Sequence, residues 1–324
     1  MADAPRFRTH MRPFGVADPQ AYRRLLARPG LQLDRAELLV LLDTVQADTI
    51  VGLPAEALAT ATPAERDVLL ARGKASLLER GLLRVDDEGA PRPDLRLIAL
   101  ALLITRPQVV SLTIRNLNGQ GKQLYLHYYA DGVSIEHTLP TPETHRFVAL
   151  MGVEEICERI IGVLPLHAAF PSPEVADVPQ DAFLAAKRLL EQHHFAEARA
   201  AFASIIHPEP VAKALFRTFL RPTLIATVAM FRCEEEQAAI GAHATADTAA
   251  SHPRVRTVDA RNILVVCDEN CAWLIGQRIP GEQQLKIQHI EQDVLYYTLR
   301  NLFQAMRSPT EHVPSPSGEG PAIT

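Results

Sequence analysis

The spacing of apolar residues changes along the chain from that of helices to that of strands and back to that of a helix. This order occurs twice. From residue 32 onward, stretches with apolar side chains three and four positions apart predict helices. β-branched runs follow, and an amphipathic stretch at 152–164 closes the series. Residues 182–303 repeat the order of helix, strands and closing helix. This order predicts antiparallel sheet with the helices segregated from it.

Capping residues set the predicted helix boundaries in the first half. Asp34 followed by Glu37, and Thr62 followed by Glu65, have the spacing of capping boxes. Gly81 follows the second of these helices and predicts its end, because glycine accepts the left-handed backbone that closes a helix.

Two dipeptides predict tight hairpin turns. Asn-Gly at 118–119 and Asp-Gly at 131–132 favour the left-handed backbone that two-residue hairpins need. The strands predicted in the first half are 109–117, 122–130, 133–139 and a short fourth run at 146–151. Those predicted in the second half are 223–231, 262–268, 271–279 and 285–290.

An Arg-Pro pair recurs at the same point of both series. Arg106 and Arg221 each end a leucine-rich helix, because the proline that follows disfavours helical geometry in the residue before it. They are 115 residues apart, whereas 77–83 matches 189–195 at an offset of 112. The last strands are offset by 138, which indicates an insertion at 233–260.

These observations predict an α+β fold of pseudo-twofold duplicated halves that share a central antiparallel sheet flanked by helical bundles. The alternative is the ordinary alternation of helices and strands in an unduplicated α+β protein. The predicted divisions are a loosely ordered N-terminal segment (1–31), a first half (32–168), a second half (169–307) and a disordered tail (308–324). The tail is assigned from its Pro, Ser and Gly content.

Composition narrows the class of protein. The chain has 324 residues, 47% of them hydrophobic, and a net charge of −5, so it lacks the basic footprint that favours nucleic acid. The longest apolar run, 97–104, is too short to cross a bilayer. The first residues have no apolar core of a secretory signal, and there are only four cysteines. We therefore expect a cytoplasmic protein without membrane insertion.

The sequence predicts no catalytic, cofactor or metal site. Residues 117–123 superficially resemble a phosphate-binding loop, but a strand follows them where a helix would be required. His193 and His194 are adjacent, so they point to different sides of a helix. Cys267 and Cys271 flank a turn without a second pair of ligands, which favours small apolar strand residues over a zinc site. We expect no enzyme activity and no cofactor.

Three stretches resemble the EspG family, the cytosolic chaperones of type VII (ESX) secretion in actinobacteria. They are the early helix at 32–45, the block at 65–114 that ends a helix at Arg-Pro before a strand, and the echo of that block at 209–229. The resemblance implies a quasi-twofold fold and binding of a helical secreted client of the PE–PPE type, whose aggregation-prone tip the chaperone covers. The tight turn at 131–132 and the long insertion depart from the family pattern.

Charged residues at the two ends of the insertion are candidates for contact with a partner. A structureless segment longer than about 15 residues within a compact domain is usually functional or disordered. The alternative is therefore a plain flexible loop. The candidates are Glu234, Glu235, Glu236, Arg254 and Arg256.

Two tyrosines on the predicted strand 122–130 are further candidates. The period of two places Tyr125, His127 and Tyr129 on one face of that strand and Tyr128 on the other. Tyr125 and Tyr129 either belong to a binding face or pack beneath the flanking helices.

Two hypotheses follow for function. The first is a chaperone or adaptor that sequesters apolar surface of a helical client. The second is a winged-helix transcriptional regulator, in which residues 65–91 form a recognition helix and a wing. That helix carries Arg66, Arg72, Lys74 and Arg80, but the acidic wing and the net negative charge weigh against binding to DNA.

Overall fold

The computed structural model describes residues 30–60, 62–87, 91–166, 175–235, 255–277 and 281–307. The strands in these ranges are β1 (Leu31–Asp34), β2 (Leu83–Val85), β3 (Pro91–Pro93), β4 (Val109–Leu117), β5 (Lys122–Ala130), β6 (Val133–Thr141), β7 (Thr144–Leu150), β8 (Val175–Pro179), β9 (Leu224–Glu235), β10 (Val255–Cys267), β11 (Ala272–Gln277) and β12 (Gln284–His289). The α-helices are α1 (Arg35–Thr44), α2 (Pro63–Glu79), α3 (Leu95–Thr105), α4 (Val153–Gly162), α5 (Gln180–Glu191), α6 (Phe195–Ile205), α7 (Glu209–Leu220) and α8 (Gln292–Arg307).

Ten strands form one antiparallel sheet in the order β1-β7-β6-β5-β4-β9-β10-β11-β12-β8. The order is symmetric about its centre, where β4 pairs with β9. On each side the hairpin strands follow outward, and a short strand that directly precedes a helix closes the edge. The two halves therefore share one sheet, which confirms the predicted α+β fold with pseudo-twofold halves. Strands β2 and β3 form a separate small sheet.

The predicted caps and turns are present. The Asp34 carboxylate accepts a hydrogen bond from the Glu37 backbone N–H (2.8 Å), and the Glu37 carboxylate accepts one from the Asp34 N–H (3.0 Å). The Thr62 hydroxyl accepts from the Glu65 N–H at 3.1 Å. Both residues of each predicted turn, 118–119 and 131–132, have positive φ angles. Residues 131–132 form a two-residue hairpin between β5 and β6, whereas 118–119 begin the four-residue connection 118–121 between β4 and β5.

The sheet edges differ from expectation. Strands β1 and β8 were not predicted, and β1 begins at Leu31, where the loosely ordered segment was expected to end. Helix α5 follows edge strand β8 as α1 follows β1, so the sheet order relates α5 to α1, whereas the 112-residue offset relates it to α2. The boundary predicted at 168–169, residues 1–29 and the tail at 308–324 lie outside the described residues.

Helices cover the sheet on both faces. Helices α1–α3 pack on the first half and α5–α7 on the second. On strand β9, Phe231 packs against the first bundle and Ile225 against the second, and residues separated by an even number lie on the same side of a strand. Both bundles therefore lie on one face, here named the bundle face. Helices α4 and α8 contact each other and cover the opposite face, here named the α4/α8 face.

Candidate interaction surface

The middle of the bundle face carries a strip of partly exposed apolar side chains on the two central strands. The strip, named the central strip, consists of Leu112, Ile114, Ile225, Thr227, Ala229 and Phe231. Neighbouring residues of the same strands that point to the α4/α8 face, such as Thr113 and Val228, are 0% and 1% exposed. Around Thr113 and Val228, strands β4 and β9 are thus fully covered on the α4/α8 face and only partly covered on the bundle face.

The strip is open because of where the helices lie. Helix α3 contacts β5 and helix α7 contacts β10, so the helices stand over the strands that flank the centre. At the margins, Phe231 packs on the buried residues beneath α1–α3, and Ile225 packs on those beneath α5–α7. The central strip therefore forms the floor of the gap between the two bundles.

The side chains of the strip are suited to contact with an apolar surface of a partner. Of its six side chains, five are hydrocarbon and the sixth, Thr227, adds one hydroxyl. Contiguous partly exposed apolar side chains of this kind are typical of protein interaction sites. An apolar sheet surface between two helical bundles matches the recognition mode in which an amphipathic helix lies in a groove.

Both ends of the insertion extend the sheet. Strand β9 continues to Glu235 and β10 begins at Val255, so the ends of the segment expected to be a loop are paired strand. Glu234 lies directly opposite Arg256, with 3.8 Å between carboxylate and guanidinium. Glu235 lies 3.9 Å from the Arg106 guanidinium. Glu236 and Arg254 lie outside the described residues.

The two candidate tyrosines lie on the α4/α8 face, opposite the central strip. Tyr129 is 5% exposed and meets Phe303 of α8 edge to face, with 6.3 Å between ring centres. Tyr125 is partly exposed, and the Arg115 guanidinium stands 5.2 Å from its ring centre. The predicted alternation is confirmed, because Tyr128 belongs to the cluster under α1–α3. Burial assigns Tyr129 to the core beneath the flanking helix.

Sequence reasoning missed the central strip. Its residues have the β-branched, apolar character of ordinary core strands. Their partial exposure depends on the spacing between α3 and α7, two helices that are distant from each other in sequence. No local signal at positions 112–114 or 225–231 distinguishes this floor from a fully covered core.

The remaining candidate chemistry is structural. All four cysteines are free thiols, and burial raises the pKa of Cys267 to about 12, so this thiol is protonated at neutral pH. Within the described ranges, no three His, Cys, Asp or Glu side chains stand close enough to hold a metal ion. Among the described helices, none is both long and apolar enough to cross a bilayer.

The helix considered for DNA recognition packs against the protein. Helix α2 lies on α1, and three of its basic side chains stand near acidic groups of that helix or its cap. The pairs are Arg66–Asp43, Arg72–Asp34 and Arg80–Glu37. These arginines therefore face carboxylates, which disfavours their use as phosphate contacts.

Comparison with known proteins gives matches of structure. No family model and no curated protein matches the sequence. Fourteen chains of solved structures match the fold, and they include a chaperone of a bacterial secretion system. It is the Mycobacterium tuberculosis type VII secretion system chaperone EspG5, solved in complex with the PE25–PPE41 dimer. The match covers 85% of this chain and 95% of that chain, with a TM-score of 0.57 and 10% sequence identity. At that identity, the likeness shows a shared fold.

Proposed function

We propose that this chain is a cytosolic chaperone that binds a helical secreted protein, a PE–PPE-like or related type VII client, and keeps it soluble for export. The observation that carries the proposal is the central strip, a partly exposed apolar floor between two helical bundles. The shared fold with EspG5, which was solved with a PE–PPE dimer, supports the class of client.

The strip supports binding by burial of apolar surface. A helical client whose tip exposes apolar side chains gains roughly 25 cal/mol for each Å² that it removes from water. Part of that gain is lost to the ordering of both partners, so affinity depends on how well a few side chains fit. Phe231 and Ile225, the side chains at the two ends of the strip, are the expected anchors.

The charged end of the β9–β10 hairpin would orient the client. Phe231 lies four residues before Glu235, so the pairs Glu234–Arg256 and Glu235–Arg106 stand near one end of the strip. Exposed ion pairs of this kind contribute at most about 1 kcal/mol each to stability. Their expected role is to steer association and fix the direction of the client.

Co-expression tests the proposal. This chain would be produced with PE–PPE pairs encoded in the same genome, and the soluble fraction would be separated by size-exclusion chromatography. We expect one complex that contains all three chains and a client that precipitates without the chaperone. Pairs that stay soluble alone and elute separately from this chain would contradict the proposal.

A variant pair localises the contact. Thr227→Arg places a charge in the middle of the strip, and we expect at least a tenfold loss of affinity for the client. Val68→Arg is the control, because Val68 is 68% exposed on α2 and lies outside the strip. Equal affinities of the two variants for the client would show that the strip is not part of the interface.

A further inference from the structure

The two halves of the sheet can be compared position by position. Counted outward from the centre of the β4–β9 pairing, each residue of the first half has an equivalent in the second. On the α4/α8 face, three polar side chains lie in register on β4, β5 and β6: Ser111, His127 and Glu136. Their equivalents, in register on β9, β10 and β11, are apolar: Ala226, Val265 and Leu274.

The bundle face shows the same asymmetry. Buried polar side chains on this face of the first half are Tyr128, His137 and His145, which lie on β5, β6 and β7. Register places Val266, Ile275 and Leu285 at the equivalent points of β10, β11 and β12. All three of these second-half side chains are less than 9% exposed. The architecture can therefore be built with aliphatic residues at every one of these positions.

The polar residues of the first half are costly to bury. His127 and Ser111 are 0% exposed, and among the described residues the Ser111 hydroxyl has no hydrogen-bond partner. The nearest carboxylate oxygen, on Glu136, stands 3.6 Å from His127 Nε2. An unsatisfied buried polar group destabilises a fold by about 1–3 kcal/mol. Packing alone does not account for these side chains.

The two imidazoles on the bundle face form a direct contact that limits their protonation. His137 Nε2 lies 2.9 Å from His145 Nδ1, and the Tyr128 hydroxyl lies 3.4 Å from His137 Nδ1. At 2.9 Å one ring nitrogen must be the acceptor, so the two rings cannot both be fully protonated in this geometry. His137 is 0% exposed and His145 is 1% exposed.

We propose that the first half of the sheet is an acid-sensitive device, in which protonation of His137 and His145 releases edge strand β1 and helix α1 while the second half stays folded. His145 lies directly opposite Leu33 of β1, and α1 begins two residues after Leu33. A charged imidazole at this point therefore acts on the edge strand first.

The charged groups around the pair do not offset its burial. Burial lowers the pKa of His137 well below its usual value, and the neighbouring His145 lowers it further. Burial also lowers the pKa of His145, although the carboxylates of Glu143 and Asp34 act in the opposite direction. Glu37 on α1 is already paired with Arg80 of α2.

The sign of the pH dependence follows from these directions. Above about pH 6.5 both imidazoles are neutral in the folded and the unfolded chain, and they add no pH dependence. As the pH falls below that value, the unfolded chain takes up protons that the folded chain excludes. Each group then shifts the folding equilibrium toward the unfolded state by up to about tenfold per pH unit.

The second half supplies the substitutions for the test. His137→Ile with His145→Leu installs the residues found at the equivalent positions, and unfolding of the full chain by urea would be followed at pH 7.5 and 5.5. We expect the folding equilibrium of the wild type to fall at least tenfold more than that of the double variant. His194→Gln, at an exposed histidine, should behave like the wild type. Parallel pH profiles of wild type and double variant would overturn the proposal.

Two measurements on the unmodified chain keep the proposal testable if the double variant does not fold. In an NMR titration, the midpoints of His137 and His145 should lie below the ordinary histidine value of about 6.5, and midpoints at or above that value would overturn the proposal. Trp273, the single tryptophan, is buried in the second half and reports on its folding. At pH 5.5 hydrogen exchange should increase in β1 and α1 while Trp273 emission is unchanged. A change in Trp273 emission at the same pH at which exchange in β1 and α1 increases would rule out a response confined to one half.

Discussion

Thr113 and Val228 lie directly opposite each other on the two central strands, and they are also separated by 115 residues, the offset between Arg106 and Arg221. The pseudo-twofold axis therefore passes between Thr113 and Val228. Both side chains are buried on the α4/α8 face, at 0% and 1% exposure. The two halves thus place a hydroxyl and a methyl group in equivalent surroundings.

This relationship predicts the effect of exchanging the two residue types. Among the described residues, the buried Thr113 hydroxyl has no hydrogen-bond partner. Thr113→Val should raise the free energy of unfolding by about 1 kcal/mol, because it removes an unsatisfied polar group of the same size. Val228→Thr should lower it by about 1–3 kcal/mol. Urea unfolding of both variants is the measurement, and destabilisation by Thr113→Val would contradict the account.

A second prediction concerns the contact between α1 and α2. Glu37 is 3% exposed, and its carboxylate accepts hydrogen bonds from Arg80 Nη1 (2.6 Å) and the Ser76 hydroxyl (2.7 Å). Glu37→Gln removes the charge, and Arg80, which is 38% exposed, keeps the Gln32 carbonyl as an acceptor, so we expect a loss of about 2 kcal/mol in the free energy of unfolding.

The control for this prediction is an exposed ion pair on α7. Lys213 and Glu209 stand 2.7 Å apart, with side chains 58% and 66% exposed. Lys213→Gln should change stability by less than about 0.5 kcal/mol, since water already solvates both charges. Equal losses in the Glu37→Gln and Lys213→Gln variants would show that burial does not strengthen the α1–α2 contact.

A third prediction concerns the close approach of the same two helices. A Cβ atom at Gly73 would overlap the backbone of α1, including the Glu37 nitrogen at 2.9 Å. Gly73→Ala should lower the free energy of unfolding by about 3 kcal/mol, because the backbone of α1 cannot move aside as a side chain can.

Gly162 is the matched control. It lies at the end of α4, and a Cβ atom there meets nothing within 4 Å among the described residues. Gly162→Ala should stabilise the chain by about 0.5–1 kcal/mol, because alanine loses less conformational entropy in a helix. Thermal unfolding of the two variants distinguishes them, and a loss of stability in Gly162→Ala would show that glycine is required for another reason.

The features that could be predicted from the sequence are those that one residue or two adjacent residues determine. The capping box at Asp34 and the turn at 131–132 depend on single side chains or dipeptides, and both are present. The Arg-Pro spacing predicts the duplication for the same reason. Edge strands β1 and β8 are four and five residues long, so they carry too little periodicity to be recognised.

The candidate surface could not be predicted, because it is a product of tertiary packing. Phe231 and Tyr129 look alike in sequence, as aromatic residues in strands. Helix α8 covers Tyr129, whereas Phe231 lies on the bundle face at one end of the central strip and is partly exposed. The charged residues at Glu234 and Arg256 were recognised from their composition, but their direct pairing across β9 and β10 depends on strand register.

Site-specific crosslinking tests the central claim most directly. A photoreactive phenylalanine analogue would replace Phe231 in the central strip or, as an aromatic control, Tyr297, which is 60% exposed on α8. Each chain would be irradiated in the soluble complex with its PE–PPE-type client. We expect the client to be crosslinked from position 231 and not from position 297. Crosslinking from 297 alone would contradict the account, because it would place the client on the α4/α8 side of the sheet.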